Sequence, residues 1–181
     1  IIEGVSASVD MDEKISKLDA VVSIPQVMLS YNEYEIGLKE ISVNLDKKEE
    51  IRTKLSVDSI NINSSSFSIE TGVLRGDALI GSLNSINDIQ GDIHIQNALV
   101  SIPEGEINLS PISLSLNKEG ASLHLDAIEG FYKDIRIKAE DSLIKSADFK
   151  EFSAESEIIN GVYSGHRFSL KNLELPSLKI E

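Results

Sequence analysis

The sequence predicts an all-β protein: a curved antiparallel sheet of roughly ten to fourteen strands, rolled into a groove or open barrel, with one or two short helices. Three observations carry this. Apolar and polar residues alternate with a period near two along almost the whole chain. The apolar residues are mostly Ile, Leu and Val, with aromatics at only 5%; branched Cβ atoms suit a pleated surface. The alternation also slips by one residue inside several strands. A slip would turn the apolar set to the opposite face of a flat strand, but a β-bulge absorbs the extra residue and bends the strand.

Val5, Ala7 and Val9 open the pattern. Ile15, Leu18 and Val22, with Met11, have spacing that predicts a short helix over 11–19, although the run from Leu18 also reads as a strand. Pro25 marks an edge or a bulge. Ile36 and Leu38 then slip to Ile41, Val43 and Leu45, and Leu55 and Val57 slip to Ile60 and Ile62, with "DKKEE" as the turn between. "NSSS" is a turn before Phe67, Ile69, Thr71 and Val73. Over 74–90, Leu79, Leu83 and Ile86 have helical spacing, weakened by Gly76 and Gly81. Ile93 and Ile95 lead to Leu99, Val100 and Ile102. Ile107 and Leu109 slip to Ile112, Leu114 and Leu116, and "NKEG" turns the chain into Leu123 and Leu125. Ile135 and Ile137, then Phe152 and Ala154, then Ile158 and Ile159 continue the alternation. Phe168 and Leu170 slip to Leu173 and Leu175 near the end.

The chain reads as one elongated β domain over residues 1–181, with repeats near 18–62, 91–139 and 152–180. The echo is clearest between "VVSIPQVMLSYNEYEIGLKEISVNL" (21–45) and "ALVSIPEGEINLSPISLSL" (98–116). The chain opens without Met and already in alternation, so it reads as a piece of a longer protein whose targeting segment or anchor lies outside it. No apolar run reaches the roughly 18 residues that span a bilayer as a helix.

Charge and residue types exclude several chemistries. Seventeen basic against thirty acidic residues give −13, the wrong sign for nucleic acid or for docking by charge on anionic lipid. Without Cys there is no disulfide, thiolate metal site or Cys nucleophile. His94, His124 and His166 sit in strand contexts without metal-ligand spacing, and His94 and His124 point away from the apolar face. The acidic pairs Asp10–Asp12 and Glu49–Glu50 lack a cleft, and the latter sits in a turn with Lys47 and Lys48. "SSS" at 64–66 has no nucleophile elbow, and Gly72, Gly76 and Gly81 form no phosphate loop. "DMDEK" lacks the Gly of a calcium loop, and Arg75-Gly76-Asp77 is a three-residue match to the adhesive tripeptide. No catalytic residue, metal site or cofactor is predicted, and the chain is read as a non-enzyme.

The apolar face remains. Its lining candidates are Ile41, Val43, Leu45, Leu55, Val57, Ile93, Ile95, Ile112, Leu114, Leu116, Leu123, Leu125, Phe168 and Leu170. An aliphatic face with few aromatics and no polar handle suits acyl chains, which ask only for dispersion and exclusion of water. A closed core has the same signature in sequence.

The stretch "GDIHIQNALVSIPEGEINLSPISLSLNKEGASLHLDAIEGFYKDIRIKAE" resembles the repeat of the AsmA-like family, the periplasmic lipid-bridge proteins of the AsmA, TamB and YdbH type. Gly91, Ile93, Ile95, Asn97, Ala98 and Leu99 fit its opening, Ile112, Leu114 and Leu116 its middle strand, and Gly120, Leu123, Leu125 and Gly130 its end. Residues 18–62 and 152–180 match more loosely. The resemblance implies an inner-membrane anchor outside this piece, a periplasmic location in a diderm bacterium and a rolled sheet with an apolar interior. It also implies phospholipid carried between the two membranes. Chorein-type lipid bridges share that architecture. The alternative class is a structural or protein-binding module, such as a type II secretion protein N-like component or an adhesin-type sandwich.

Overall fold

The structure is a computed structural model that describes residues 2–11, 18–47, 51–80, 89–117, 120–146 and 151–179. Its strands are β1 (Ile2–Glu3), β2 (Ser6–Met11), β3 (Leu18–Tyr31), β4 (Tyr34–Lys47), β5 (Ile51–Val57), β6 (Ser59–Asn63), β7 (Ser68–Thr71) and β8 (Leu74–Ile80). They continue as β9 (Ile89–Ile95), β10 (Ala98–Ile102), β11 (Gly105–Asn117), β12 (Gly120–Tyr132), β13 (Ile135–Ser146), β14 (Glu151–Tyr163) and β15 (His166–Lys179).

All fifteen belong to one antiparallel sheet. They make eleven rungs across it: seven are continuous strands, and four are split into two strands end to end. β1 and β2 share β3, the first along its Val27 end and the second along its Ser23 end. β4 pairs with β6 through residues 35–39 and with β5 through residues 42–47. The two lanes then run in parallel. One passes through β6, β7 and β10, the other through β5, β8 and β9, and both rejoin on β11. From there β11 to β15 follow as a meander. The two end rungs have no partner on their outer side among the described residues, so the sheet is open rather than closed into a barrel.

Every rung is interrupted at mid-length. The register between β3 and β4 passes over Pro25 and Glu40. It passes over Pro111 and Asp126 between β11 and β12, and over Asp126 and Asp141 between β12 and β13. It passes over Asp141 and Glu157, then Glu157 and Asn172, in the next two pairs. In the split rungs the break itself falls on this line, at Asp58, Gly72–Val73 and Gln96–Asn97. Backbone bonds still close the gaps: Asp58 N–H donates to Lys39 O at 3.0 Å, and Gln96 N–H to Val73 O at 2.9 Å. The result is a crease across the whole sheet. Pro25 and Pro111 fit it because the ladder needs no N–H there.

The sheet bends along the crease with its apolar face inside. Pro25, Glu40, Asp58, Gln96, Pro111, Asp126, Asp141, Glu157 and Asn172 are all exposed on the outside of the bend. Directly inside it, Val57, Leu74, Ile112 and Leu125 are buried to 4–8% exposure. Ala98, Ile112 and Leu125 pack as one cluster with Ile95, Leu109, Leu123 and Ile128, joining the two arms across the bend. The slips in the sequence mark this crease: Leu38 to Ile41, Val57 to Ile60, Leu109 to Ile112 and Leu170 to Leu173. One extra residue at each turns the strand and returns the apolar set to the same face.

Glu40, Asp141 and Asn172 hold φ of 48°, 49° and 51° at the crease. An L-residue in that region costs about 1–2 kcal/mol, least for Asn and Asp. Asp141→Val, which puts a branched Cβ there, is expected to destabilise the protein by about 1–2 kcal/mol, read as a lower urea midpoint. Asp141→Gly should stay near the parent.

Several expectations are revised. No helix occurs among the described residues. Met11, Leu18 and Asp19 are strand, and 12–17 lie outside the described residues. Leu79 lies in β8, while Gly81, Leu83 and Ile86 lie outside them. The fifteen strands make eleven rungs because four rungs break at the crease. Ser23-Ile24-Pro25 lies at the crease in mid-strand, whereas Ser101-Ile102-Pro103 ends β10 and enters a turn. The following "ISVNL" and "ISLSL" are equivalent, both running outward from the crease.

Candidate functional site: an apolar groove

Antiparallel partners share a face, so the registers trace rows across the rungs. One row reads Ala7, Val22, Val43, Leu55, Gly76, Ile93, Leu114, Leu123, Ile144, Ala154 and Leu175, paired at every step. It crosses all eleven rungs without a polar side chain. The row beside the crease holds Ile24, Ile41, Val57, Leu74, Ile95, Ile112 and Leu125. On the other arm, Val27, Leu38, Ile60, Thr71, Ala98, Leu109, Ile128, Ala139, Ile159 and Leu170 form the matching row. Rungs about 4.8 Å apart make a groove about 48 Å long, with arms of about 20 Å.

All fourteen predicted lining residues share this face. Val57, Ile112 and Leu125 are buried at the crease. Ile41, Val43, Leu45, Leu55, Ile93, Ile95, Leu114, Leu116 and Leu123 are half-buried, and Phe168 and Leu170 are exposed. The sequence reading missed the second arm, apart from Phe168 and Leu170. It is legible in the residues before each slip.

Among the described residues no second layer covers the groove. Among the described residues no large side chain is fully buried. The accessible surface is 12531 Å², against about 8,600 Å² for a compact monomer of this mass. Most large exposed hydrophobic residues, Leu29, Ile107, Ile137, Leu173 and Leu175 among them, lie on this same face.

The apolar floor has a polar interruption. In the crease row, Leu125 is followed by Ser142 and Ser156, both buried. Ser142 Oγ donates to Ser156 Oγ at 3.0 Å, and Ser156 Oγ donates to Glu140 O at 3.2 Å. The pair is satisfied internally, as burial requires. This corrects the expectation of a face without polar groups.

Aromatic groups border one rim. Tyr31, Tyr34, Tyr132 and Tyr163 flank two-residue hairpin turns at the outer end of the same arm. Asn32, Lys133, Ser164 and Gly165 take positive φ in those turns, as tight hairpins demand. The Tyr34 and Phe67 rings lie 6.3 Å apart.

The polar face carries the charges. His94 Nδ1 lies 3.0 Å from Ser113 Oγ, and His124 lies 3.1 Å from Asp126 and 3.8 Å from Asp141. Lys138 reaches Glu129 at 3.0 Å and Glu140 at 3.4 Å, and these two hold its pKa above the usual lysine range. The stabilising share of that pairing is present below lysine's ordinary range and fades only in strong alkali. Two depressions also lie on this face. One, of about 900 Å³, is lined by Glu106, Phe131, Arg136, Lys138, Val162 and Arg167 among others. The other is lined by Met28, Glu35, Gly37, Asn61 and Glu70 among others. They follow the twist of the sheet and stand behind the groove, not in it.

The remaining motifs are placed as follows. Arg75-Gly76-Asp77 lies inside β8, paired on both sides, with Gly76 on the groove face. Ser64 to Ser66 form the turn between β6 and β7, closed by Ser64 N–H to Phe67 O. Asp12, Glu49 and Glu50 lie outside the described residues. Among the described residues no three His, Asp or Glu side chains converge as a metal site.

Comparison with protein-family models, with curated proteins and with solved structures finds no match to this chain, so its function is argued from the groove itself.

Proposed function

We propose that the chain is a periplasmic segment of an AsmA-like protein, and that its groove binds and conducts phospholipids between the inner and outer membranes. The observation that carries the proposal is the unbroken apolar row over eleven rungs, on a face that no second layer covers among the described residues. A patch of that size on an isolated soluble chain is costly unless something apolar occupies it. An occupant that slides past aliphatic side chains needs no polar recognition, and acyl chains have that chemistry. The creased cross-section gives them a floor and two walls, and the exposed acids outside the crease oppose association of sheets through their backs. The chain acts without a catalytic residue or a cofactor.

Native mass spectrometry of the chain purified from bacterial envelopes in mild detergent tests this. Phospholipid retained on the protein is the expected result. A lipid-free protein, or one that retains only a protein partner, contradicts the proposal and favours the scaffold class.

A further inference from the structure

The two free edges of the sheet match one another. We propose that copies of this chain associate head to tail, β15 of one copy pairing in parallel with β1 and β2 of the next, so that the groove runs on from copy to copy. Register and charge carry this, whether or not lipid fills the groove. The crease residue of each continuous rung faces the crease residue of its neighbour, and the rungs alternate in phase about it. On β4, β11, β13 and β15 the groove-face residues stand two before the crease and one after, as Leu109 and Ile112 do about Pro111, and Leu170 and Leu173 about Asn172. On β3, β12 and β14 they stand one before and two after, as Ile24 and Val27 do about Pro25. An antiparallel neighbour therefore has the opposite phase. The first rung has the phase of β15. Its register sets Gly4 opposite Pro25, with Ile2 two before and Val5 one after. Gly4 and Asn172 also share a positive φ, 68° and 51°.

These phases decide how a second copy joins. An edge strand presents a row of backbone donors and acceptors to a further strand. Two β15 edges that keep the groove on one side meet antiparallel. That sets Leu170 opposite Glu174, apolar face against polar face, or else moves the crease by one residue. Eleven alternating rungs leave the two end rungs running the same way. β15 beside the next copy's β1 and β2 thus keeps face and crease together in a parallel pair, a geometry that mixed sheets use. Setting Asn172 beside Gly4 brings Leu170 beside Ile2, Leu173 beside Val5 and Leu175 beside Ala7. Apolar row meets apolar row. In the single copy these row ends face water, with Leu170 at 48%, Leu175 at 59% and Val5 at 55% exposure. The charges also complement. β1 to β3 carry Glu3, Asp10 and Asp19 and no base, whereas β15 carries Arg167, Lys171 and Lys179 against Glu174 alone. The same alignment sets Lys171 beside Glu3. β15 has one extra residue between Leu175 and Leu178, and this brings Lys179 level with Asp10. Opposite charges side by side support strand pairing.

Sedimentation of the intact chain tests the association. A head-to-tail contact does not close on itself, so the average mass should rise with concentration past that of a dimer. A mass that stays at the monomer, or levels at the dimer, overturns the proposal. The chain has no Cys, so single cysteines report the register. Ser6 and Glu174 are exposed, and both lie on the polar face. The alignment makes them neighbours across the contact. Adjacent strands lie about 4.8 Å apart, within reach of a disulfide. Ser6→Cys and Glu174→Cys proteins, mixed and oxidised, should form a linked pair that neither forms alone. No linked pair, or an equal yield from Glu174→Cys by itself, overturns the proposal. Lys171→Glu should weaken association by about five-fold, because a like-charged pair opposes what an opposite one supports. Adding Glu3→Lys to the same chain should restore it. No loss, or a loss that Glu3→Lys leaves in place, overturns the register.

Discussion

Leu125→Asp should unfold the sheet. Leu125 is 6% exposed and sits at the crease, packed with Ala98 and Ile112 where the two arms meet. Truncating a buried Leu costs about 2–5 kcal/mol, because the cavity closes only in part. The carboxylate adds the penalty of a buried charge with no cation near it. Its neighbours in register are Ile112 and Ser142, and neither offers one. Domains of this kind hold about 5–15 kcal/mol in all. Loss of the far-ultraviolet strand signal, or of a cooperative urea transition, is the readout. Leu125→Ala should remain folded with a lowered midpoint.

Leu114→Glu should do the opposite: keep the fold and lose the lipid. Leu114 lies one step out from the crease on the apolar row, paired with Ile93 and Leu123. It is half-buried, and among the described residues its neighbours belong to the sheet itself. A glutamate there can extend its carboxylate toward the open side, so the stability loss should stay within about 1–2 kcal/mol. With lipid in place the same carboxylate would be sealed among acyl chains, which is expensive. Retained lipid should fall to background by mass spectrometry while the urea transition persists. An unfolded Leu114→Glu protein would indicate a closed core.

The contrast between these two positions measures how much of the fold was legible. The alternation and its slips predicted strands, bends and one apolar face, because period and face are local properties of a strand. Leu109 to Ile112 is the clearest instance, with Pro111 at the bend. The split rungs were not legible. Leu55 to Ile62 alternates and slips as a continuous strand does, and only the long-range pairing of β4 with both β5 and β6 separates the halves. The helical spacings at Met11–Asp19 and at Leu79 yielded to strand wherever the structure describes them, since tertiary pairing overrides short patterns.

The site was legible as a face but not as a boundary. Ser142 looked like an ordinary polar residue of an alternating strand. The positive φ at Asp141 changes the register, and this places Ser142 on the floor. The tyrosines stood outside the predicted face, and the structure places them beside hairpin turns. Their convergence on one rim depends on hairpins that are far apart in sequence, at Asn32, Lys133 and Ser164, opening on the same side.

Paired photo-crosslinking in vivo tests the central claim most directly. The crosslinking residue replaces Leu114 in one protein and Ser113 in another. These are successive positions of one strand, and they face the groove and the polar surface respectively. Phospholipid adducts at position 114 and none at 113 are the predicted result. Adducts at neither position, or equally at both, would contradict a lipid-filled groove.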